Sequence, residues 1–324
     1  MAKITVQKTT FPETRSSAKN HLPLISNPKL REIHAAMVKC SMLAQRAEIL
    51  FQQGKLTGDL HGSSGHEASA SAFVIDLRRE DVLSLSAGDW APAFIKGMPL
   101  ERMFRALAPA QDNDGRDDSP KAPDPLAAWN IQASTGRLNE QLKQVCDAAK
   151  AALKAKKGSI AVAFSAEEPG AHDSTHEAVA IAGSRKLPVI FVRYSNGALT
   201  APRPAAPKRT RGAAPDATIE GVPVIIADGA DAIALYRVAC EAIARARQGR
   251  GPTLVESIIA NSPCSAAGGS ESIYKGSEQR SSQDAIMNME NNLRSKDLFS
   301  EELKMQVVTD FSRELDLATR FLNT

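Results

Sequence analysis

The stretch VIIADGADAIALYRVACEAIARARQGRGPTLVES (residues 224–257) decides which fold this chain can adopt. It begins inside an apolar segment, PVIIA (223–227), and ends inside a second one, TLVESI (253–258). Both segments predict buried strands, and the residues between them, Asp231 to Arg247, predict a helix. Two buried strands joined through a helix are typical of a parallel βαβ unit.

The same alternation continues towards the N-terminus. IAVAF (160–164) and PVIFV (188–192) predict two more apolar strands, with a helix from about Ala171 to Arg185 between them. Strands that are apolar along their whole length indicate a parallel sheet with both faces covered. We therefore predict an α/β fold with a mostly parallel sheet and helices on both faces.

The remaining segments predict an N-terminal arm over residues 1–27 and one domain over residues 28–324, with a mobile loop at about 260–282 that is rich in Ser, Gly and Ala. A polar stretch, 108–124, predicts a second exposed loop. The further predicted elements are helices at Pro28–Gly54, His66–Leu77, Pro99–Leu107, Leu138–Lys156, Gln283–Arg294 and Ser300–Phe321, and a strand at Val82–Leu85.

Composition excludes several classes of protein. The net charge of +3 is too small to indicate a nucleic-acid partner, and the basic cluster Lys208, Arg209 and Arg211 is interpreted as part of a solvated loop. No apolar stretch is long enough to span a membrane. The opening residues, MAKITVQKTT, lack the apolar segment of a secretory signal, so we expect a cytoplasmic location.

Cysteines and histidines indicate no catalytic group. The 4 cysteines contain no CxxC pair, which argues against a zinc site or a disulfide framework. Cys40, Cys146 and Cys240 fall within predicted helices and are interpreted as small core residues. His66 and His176 lie near predicted helix starts, with no nucleophile at a recognisable spacing, and are interpreted as structural or solvent-facing. The catalytic residues are therefore unknown at this stage.

Three segments and their order resemble one protein family, the alpha subunits of the pyruvate and branched-chain 2-oxo acid dehydrogenases. GKLTGDLHGSSGHEASASAF (54–73) resembles the family's Gly-x-Glu-Ala segment, and LPVIFVRYSNGAL (187–199) its strand followed by Asn-Asn-x-Tyr. Residues 224–257 are similar to the family's Val-Asp-Gly-x-Asp helix and Gly-Pro-x-Leu-x-Glu strand. The resemblance covers about residues 28–320.

The resemblance implies a thiamine-diphosphate-binding fold with thiamine diphosphate and Mg²⁺ as cofactors. It also implies a beta-type subunit as partner, in a heterotetramer of two alpha and two beta subunits, and a lipoyl acyltransferase as a further partner. In this family the beta subunit supplies the glutamate that activates the cofactor. No nucleic-acid or membrane partner is expected.

The resemblance also points to individual cofactor residues. Glu167 takes the place of the Asp in the family's Gly-Asp-Gly motif, Glu168 that of its second Gly, and Asn196 that of the following Asn. The implied metal ligands are Glu167, Asn196 and the backbone oxygen of Ala198, and Gly136 matches a Gly of the pyrimidine-binding turn. The alternative for Glu167 and Glu168 is a solvated acidic turn that the dipole of the following helix favours.

Several positions depart from the family pattern. Where the family has a Tyr-Arg pair and then a His that grip the diphosphate, this chain has Ala87, Gly88 and Trp90. The family's Arg-x-His-x-His loop is replaced by NSPCS (261–265). Arginine and lysine provide most of the charge neutralisation of a diphosphate, so these exchanges remove cations that the cofactor requires.

Two functional hypotheses follow. In the first, the chain is an alpha-type component of a 2-oxo acid dehydrogenase, which decarboxylates a 2-oxo acid oxidatively and transfers the acyl group to lipoyl. In the second, it is a non-catalytic pseudoenzyme or regulatory subunit that retains the fold and the surface that docks the beta-type subunit. Family resemblance cannot choose between them, because fold does not determine function.

Overall fold

The computed structural model of this chain describes residues 25–57, 65–86, 88–109, 126–133, 137–166, 171–196, 217–259 and 285–323. Most of the predicted N-terminal arm, nearly all of the predicted loop at 108–124 and the whole predicted loop at about 260–282 lie outside the described residues. The same is true of the basic cluster at 208–211.

The described strands form one mostly parallel sheet. They are β1 (Val82–Ser84), β2 (Ile131–Gln132), β3 (Ala161–Ala166), β4 (Val189–Asn196), β5 (Ala217–Ile219), β6 (Val222–Asp228) and β7 (Thr253–Ile259). Their spatial order is β2-β1-β3-β4-β7-β6-β5. Every pair of neighbours is parallel except β5 and β6, which are antiparallel. The predicted α/β architecture is thus confirmed.

Helices connect and cover the strands. They are α1 (Asn27–Gln52), α2 (Glu67–Val74), α3 (Ala91–Ile95), α4 (Leu100–Leu107), α5 (Leu138–Ala155), α6 (Ala171–Ser184), α7 (Ala232–Arg247), α8 (285–294) and α9 (Glu301–Ala318). Short 3-10 turns lie at Ala127–Trp129 and Arg320–Asn323. The helix starts are capped as the sequence suggests: Asp231 accepts from two backbone N–H groups of α7, and Ser300 accepts from Leu303 N in α9.

Side chains of each central strand alternate between two apolar layers. In β4, Ile190 and Val192 pack into the layer that contains α1, α2 and α7, while Val189 and Phe191 pack into the layer that contains α5 and α6. All four of these side chains are buried. Burial on both faces explains why the strands are apolar without interruption, as parallel sheets require.

The structure differs from the sequence prediction in short elements and in one cysteine. The strands β2 and β5 and the five-residue helix α3 were not predicted, because two to five residues are too few to show a period. Cys40 and Cys146 are buried as predicted, but Cys240 is exposed and the prediction for it was wrong. It lies on the outer side of α7, which turns Val238 and Ala239 towards the core.

Candidate functional site

Of the predicted cofactor residues, the structure describes Asn196, at the carboxyl end of β4. The strands β3 and β4 are neighbours, and Ala166, the last residue of β3, pairs with Tyr194. Asn196 is the last residue of β4 and pairs with Ile259 of β7. In an open α/β sheet, ligands bind outside the carboxyl ends of the strands, so this edge is the candidate site. Glu167, Glu168, Ala198 and Gly136 lie outside the described residues, and their roles stay predictions.

A cluster of polar and aromatic side chains lies beside this edge. The hydroxyl of Tyr194 donates a hydrogen bond to Oδ2 of Asp89 across 3.0 Å. The ring of His66 stacks on the ring of Tyr194, with centroids 3.8 Å apart and 9° between the planes. Asp89 also accepts from Ala91 N at the start of α3. The cluster therefore joins β4 to the segments that precede α2 and α3.

Burial favours the uncharged forms of His66, Tyr194 and Cys40. It lowers the pKa of His66 to about 4, so the imidazole is neutral at physiological pH. Burial and the nearby charge of Asp89 raise the pKa of Tyr194 well above its usual value. Burial, together with Glu67 and Asp89, likewise raises the pKa of the Cys40 thiol. Among these groups there is neither a thiolate nucleophile nor an imidazolium cation.

One polar atom of the cluster has no hydrogen-bond partner among the residues that the structure describes. Nδ1 of His66 is shielded from solvent and makes no hydrogen bond to any of the described residues, although part of His66 remains accessible. His66 is also the residue at the N-cap of α2, where its side chain makes no capping bond. The interpretation of His66 as structural stays a prediction, and its ring holds Tyr194 by stacking rather than by hydrogen bonding.

A largely buried ion pair joins β4 to β7 one residue before Tyr194. Arg193 of β4 lies directly opposite Glu256 of β7, and its Nη2 donates to Oε1 of that carboxylate. Arg193 is 5% exposed, and it is the only Lys or Arg within the seven described strands. The Glu256 carboxylate compensates the charge of this guanidinium, whose Nε is buried and makes no hydrogen bond to the described residues.

Comparison with known proteins gives these elements a family. The chain matches the family described as "Dehydrogenase E1 component" over residues 35–321. The chain belongs to this family. It is similar to the pyruvate dehydrogenase E1 component subunit alpha of Bacillus subtilis (strain 168), with 28% identity over 306 residues, 92% of this chain and 79% of that protein. The corresponding subunit of Staphylococcus aureus (strain Mu50) is 27% identical over 304 residues, again 92% of this chain and 79% of that protein.

At these identities the chain is a divergent member of the E1 alpha-subunit family, as the sequence motifs predicted. The seven-stranded sheet agrees with the thiamine-diphosphate-binding fold that membership implies. None of the described helices combines the length and apolar composition needed to cross a bilayer.

The described residues at this edge of the sheet offer no cation to a diphosphate. Gly88 stands where the resemblance implies a family Arg, and its φ of 70° lies in the left-handed region that disfavours side chains. The described residues that directly follow β1 and β6 (85, 86, 88–90 and 229–231) contain no Lys or Arg. Within the described ranges, no group of three or more His, Cys, Asp or Glu side chains could hold a metal ion. Asn196 ends β4 at this edge, and its role as a ligand stays a prediction.

Sequence reasoning did not single out Arg193, Tyr194 or Asp89. One signal was available for the ion pair: a charged residue inside each of two otherwise apolar strands, with opposite signs, indicates a buried partner. The Tyr194–Asp89 hydrogen bond had no such signal, because it joins residues that are 105 positions apart.

Proposed function

We propose that this chain is the alpha-type subunit of a 2-oxo acid dehydrogenase that maintains the fold and the pairing with a beta-type subunit, while contributing little to thiamine diphosphate binding. The observation that carries this proposal is the pairing of Arg193, the only Lys or Arg within the described strands, with Glu256, three residues before the end of β4 where the cofactor would lie. A second observation supports the proposal: Gly88, in the segment that follows β1, takes the position of a family Arg. A diphosphate carries several negative charges, which in protein sites are neutralised mainly by Arg, Lys and metal ions.

A second candidate function is catalytic, and the register of the sheet favours it. Asn196 ends β4 beside the end of β3, as a ligand pair from these two strands would require. With Glu167 and the backbone oxygen of Ala198, it would supply the oxygen ligands that Mg²⁺ prefers. In this case the assembled heterotetramer would decarboxylate a 2-oxo acid oxidatively and transfer the acyl group to the lipoyl group of an acyltransferase. The carbanion chemistry would belong to thiamine diphosphate.

Two measurements on the full chain test the proposal. Co-expression with a beta-type subunit, followed by mass photometry, is expected to give a heterotetramer. Calorimetric titration of that assembly, and of the chain alone, with thiamine diphosphate and Mg²⁺ is expected to show weak binding or none. A heterotetramer that binds the cofactor with micromolar affinity would support the catalytic candidate and contradict the proposal.

A double variant separates the two explanations of weak binding. Glu167→Asp with Glu168→Gly restores the family's side chains in the predicted turn and removes a negative charge. If the lost cations dominate, as we propose, this variant binds the cofactor no better than the parent chain. Micromolar binding by the variant would mean that the acidic turn alone prevents binding, and that the rest of the site is competent.

A further inference from the structure

The opposite edge of the sheet carries a concentrated positive charge. The amino ends of four neighbouring strands, β1, β3, β4 and β7, meet there, and each is preceded by a turn that contains Lys or Arg. We call these residues the basic face. Its exposed members are Arg78 and Arg79 before β1, Lys156 and Lys157 before β3, Arg185 and Lys186 before β4, and Arg250 before β7.

Contacts between the turns show that they form one continuous surface. Arg247, at the end of α7, donates to the carbonyl of Gly158 across 2.8 Å and to Asp81 across 2.6 Å. A Cβ added to Gly251 would lie 3.4 Å from Cα of Lys186, so the last two turns are also in contact. Neighbouring strands lie about 4.8 Å apart, so the four turns span roughly 15 Å.

Internal pairing neutralises only a small part of this surface: Arg78 contacts Glu80 across 4.0 Å, and both side chains are exposed. The side chains of Lys157, Arg185 and Arg250 make no hydrogen bond or ion pair with any of the residues that the structure describes. Asp81 is fully buried and already paired with Arg247. The carboxyl ends of α5, α6 and α7 point here, but each contributes only about half a negative charge.

The charge of the basic face is local rather than general. The whole chain carries a net charge of only +3, so the rest of the molecule is close to neutral or acidic. Two exposed glutamates lie beside the same edge of the sheet: Glu80 in the turn before β1, and Glu220 between β5 and β6. A partner that fits must therefore place its negative charges between these two glutamates, which the four strand spacings from β1 to β6 separate by roughly 19 Å.

We propose that the basic face is a docking surface for an acidic segment of another protein. An extended segment of four or five residues spans about 13–18 Å, which matches the width of the face. A nucleic acid fits less well, because its phosphates would continue past Glu80 and Glu220. The cations also lie on separate turns, two of which contain the positive-φ glycines Gly158 and Gly249.

The test uses the full chain and a fluorescein-labelled peptide of ten glutamates, with a 20-base-pair DNA duplex as the second probe. Fluorescence anisotropy at 50 mM and 200 mM NaCl is expected to show binding of the peptide that weakens with salt, because screening acts on exposed charges. DNA is expected to bind more weakly than the peptide at both salt concentrations.

Two triple variants with equal net charge locate the binding. Lys157→Gln, Arg185→Gln and Arg250→Gln remove three cations of the basic face, and are expected to weaken peptide binding by about tenfold. Lys143→Gln, Arg102→Gln and Lys296→Gln remove three exposed cations elsewhere and are expected to leave binding unchanged. No peptide binding at 50 mM NaCl, equal losses in both variants, or tighter binding of DNA than of the peptide would each overturn the proposal.

Discussion

Tyr194 donates a hydrogen bond to Asp89 across 3.0 Å, and both residues are at least 97% shielded from solvent. The bond connects the end of β4 to the start of α3 on the side of the sheet where the cofactor of E1 relatives would be expected. A buried carboxylate depends on each of its donors, because water cannot replace one that is lost.

Tyr194→Phe is expected to lower the free energy of unfolding by about 1–3 kcal/mol, since it removes a donor and leaves a buried carboxylate oxygen without this partner. Urea unfolding followed by circular dichroism measures the change. Tyr236→Phe is the matched control: it removes a hydrogen bond to Asp76, which is exposed, so water can replace the donor and the loss should be smaller. Equal losses in the two variants would contradict the role of burial.

The Arg193–Glu256 pair predicts strong coupling between two residues on adjacent strands. Arg193→Met leaves the carboxylate of Glu256 mostly buried and uncompensated, so we expect a loss of about 3–5 kcal/mol. Adding Glu256→Leu removes that charge, and the double variant should recover most of the lost stability. The measurement is a double-mutant cycle in urea. Additive effects of the two substitutions would show that the pair is not coupled.

These two contacts show where sequence reasoning ends. The segment PVIFV predicted β4, but the strand continues through Arg193 to Asn196, and neither charge of the ion pair identifies its partner. Because β7 follows β6 in the chain yet lies between β4 and β6 in the sheet, only the spatial order of the strands brings Glu256 opposite Arg193.

The candidate site was predicted in part. Asn196 was assigned as a ligand from its spacing in the family motif; it ends β4, and its ligand role stays a prediction. The polar cluster around Tyr194 depends on packing between α2, α3 and β4, which no local pattern encodes. Conversely, the long strands were predictable, because burial on both faces of the sheet requires nearly every residue of a strand to be apolar.

Acid is expected to weaken the junction of α1, α8 and α9. Burial lowers the pKa of His34 despite a 3.4 Å contact with Glu290. Burial would raise the pKa of Glu290, but hydrogen bonds from Lys304 and His34 outweigh it and lower that pKa. Both groups therefore bind protons more weakly in the folded state than in the unfolded state, so protonation favours unfolding.

Because folding lowers the pKa of both His34 and Glu290, both groups predict that stability falls as the pH falls. The contribution of His34 is lost as the pH falls below its ordinary value of 6.5, and that of Glu290 as the pH falls below 4.5. Urea unfolding from pH 7.5 to pH 4 should show falling stability, with a shallower slope between pH 6.5 and 5 for His34→Gln. Glu314→Gln, an exposed residue of α9, is the control and should keep the parent profile. An unchanged slope in His34→Gln would contradict the assignment.

A methyl group added at Gly229, in the turn between β6 and α7, is expected to lower the free energy of unfolding. Its N–H donates to the carbonyl of Ile258 across 2.8 Å, which holds the turn against β7. An added Cβ would lie 2.6 Å from Cγ1 of Ile259, 2.9 Å from Oγ of Ser257 and 3.2 Å from that same carbonyl oxygen. Gly229→Ala should therefore push the turn away from the strand and cost about 1–3 kcal/mol.

Gly183→Ala is the informative comparison for this clash. There the added Cβ would meet only one methyl group of Val222, at 2.5 Å, and the residue lies in α6, where Ala favours the helix by about 1 kcal/mol over Gly. A side-chain methyl can shift, whereas the backbone oxygen of Ile258 is fixed in the sheet. Urea unfolding should therefore show the larger loss for Gly229→Ala. The reverse order would mean that the turn can relax and that the close approach of β6 and β7 does not require glycine.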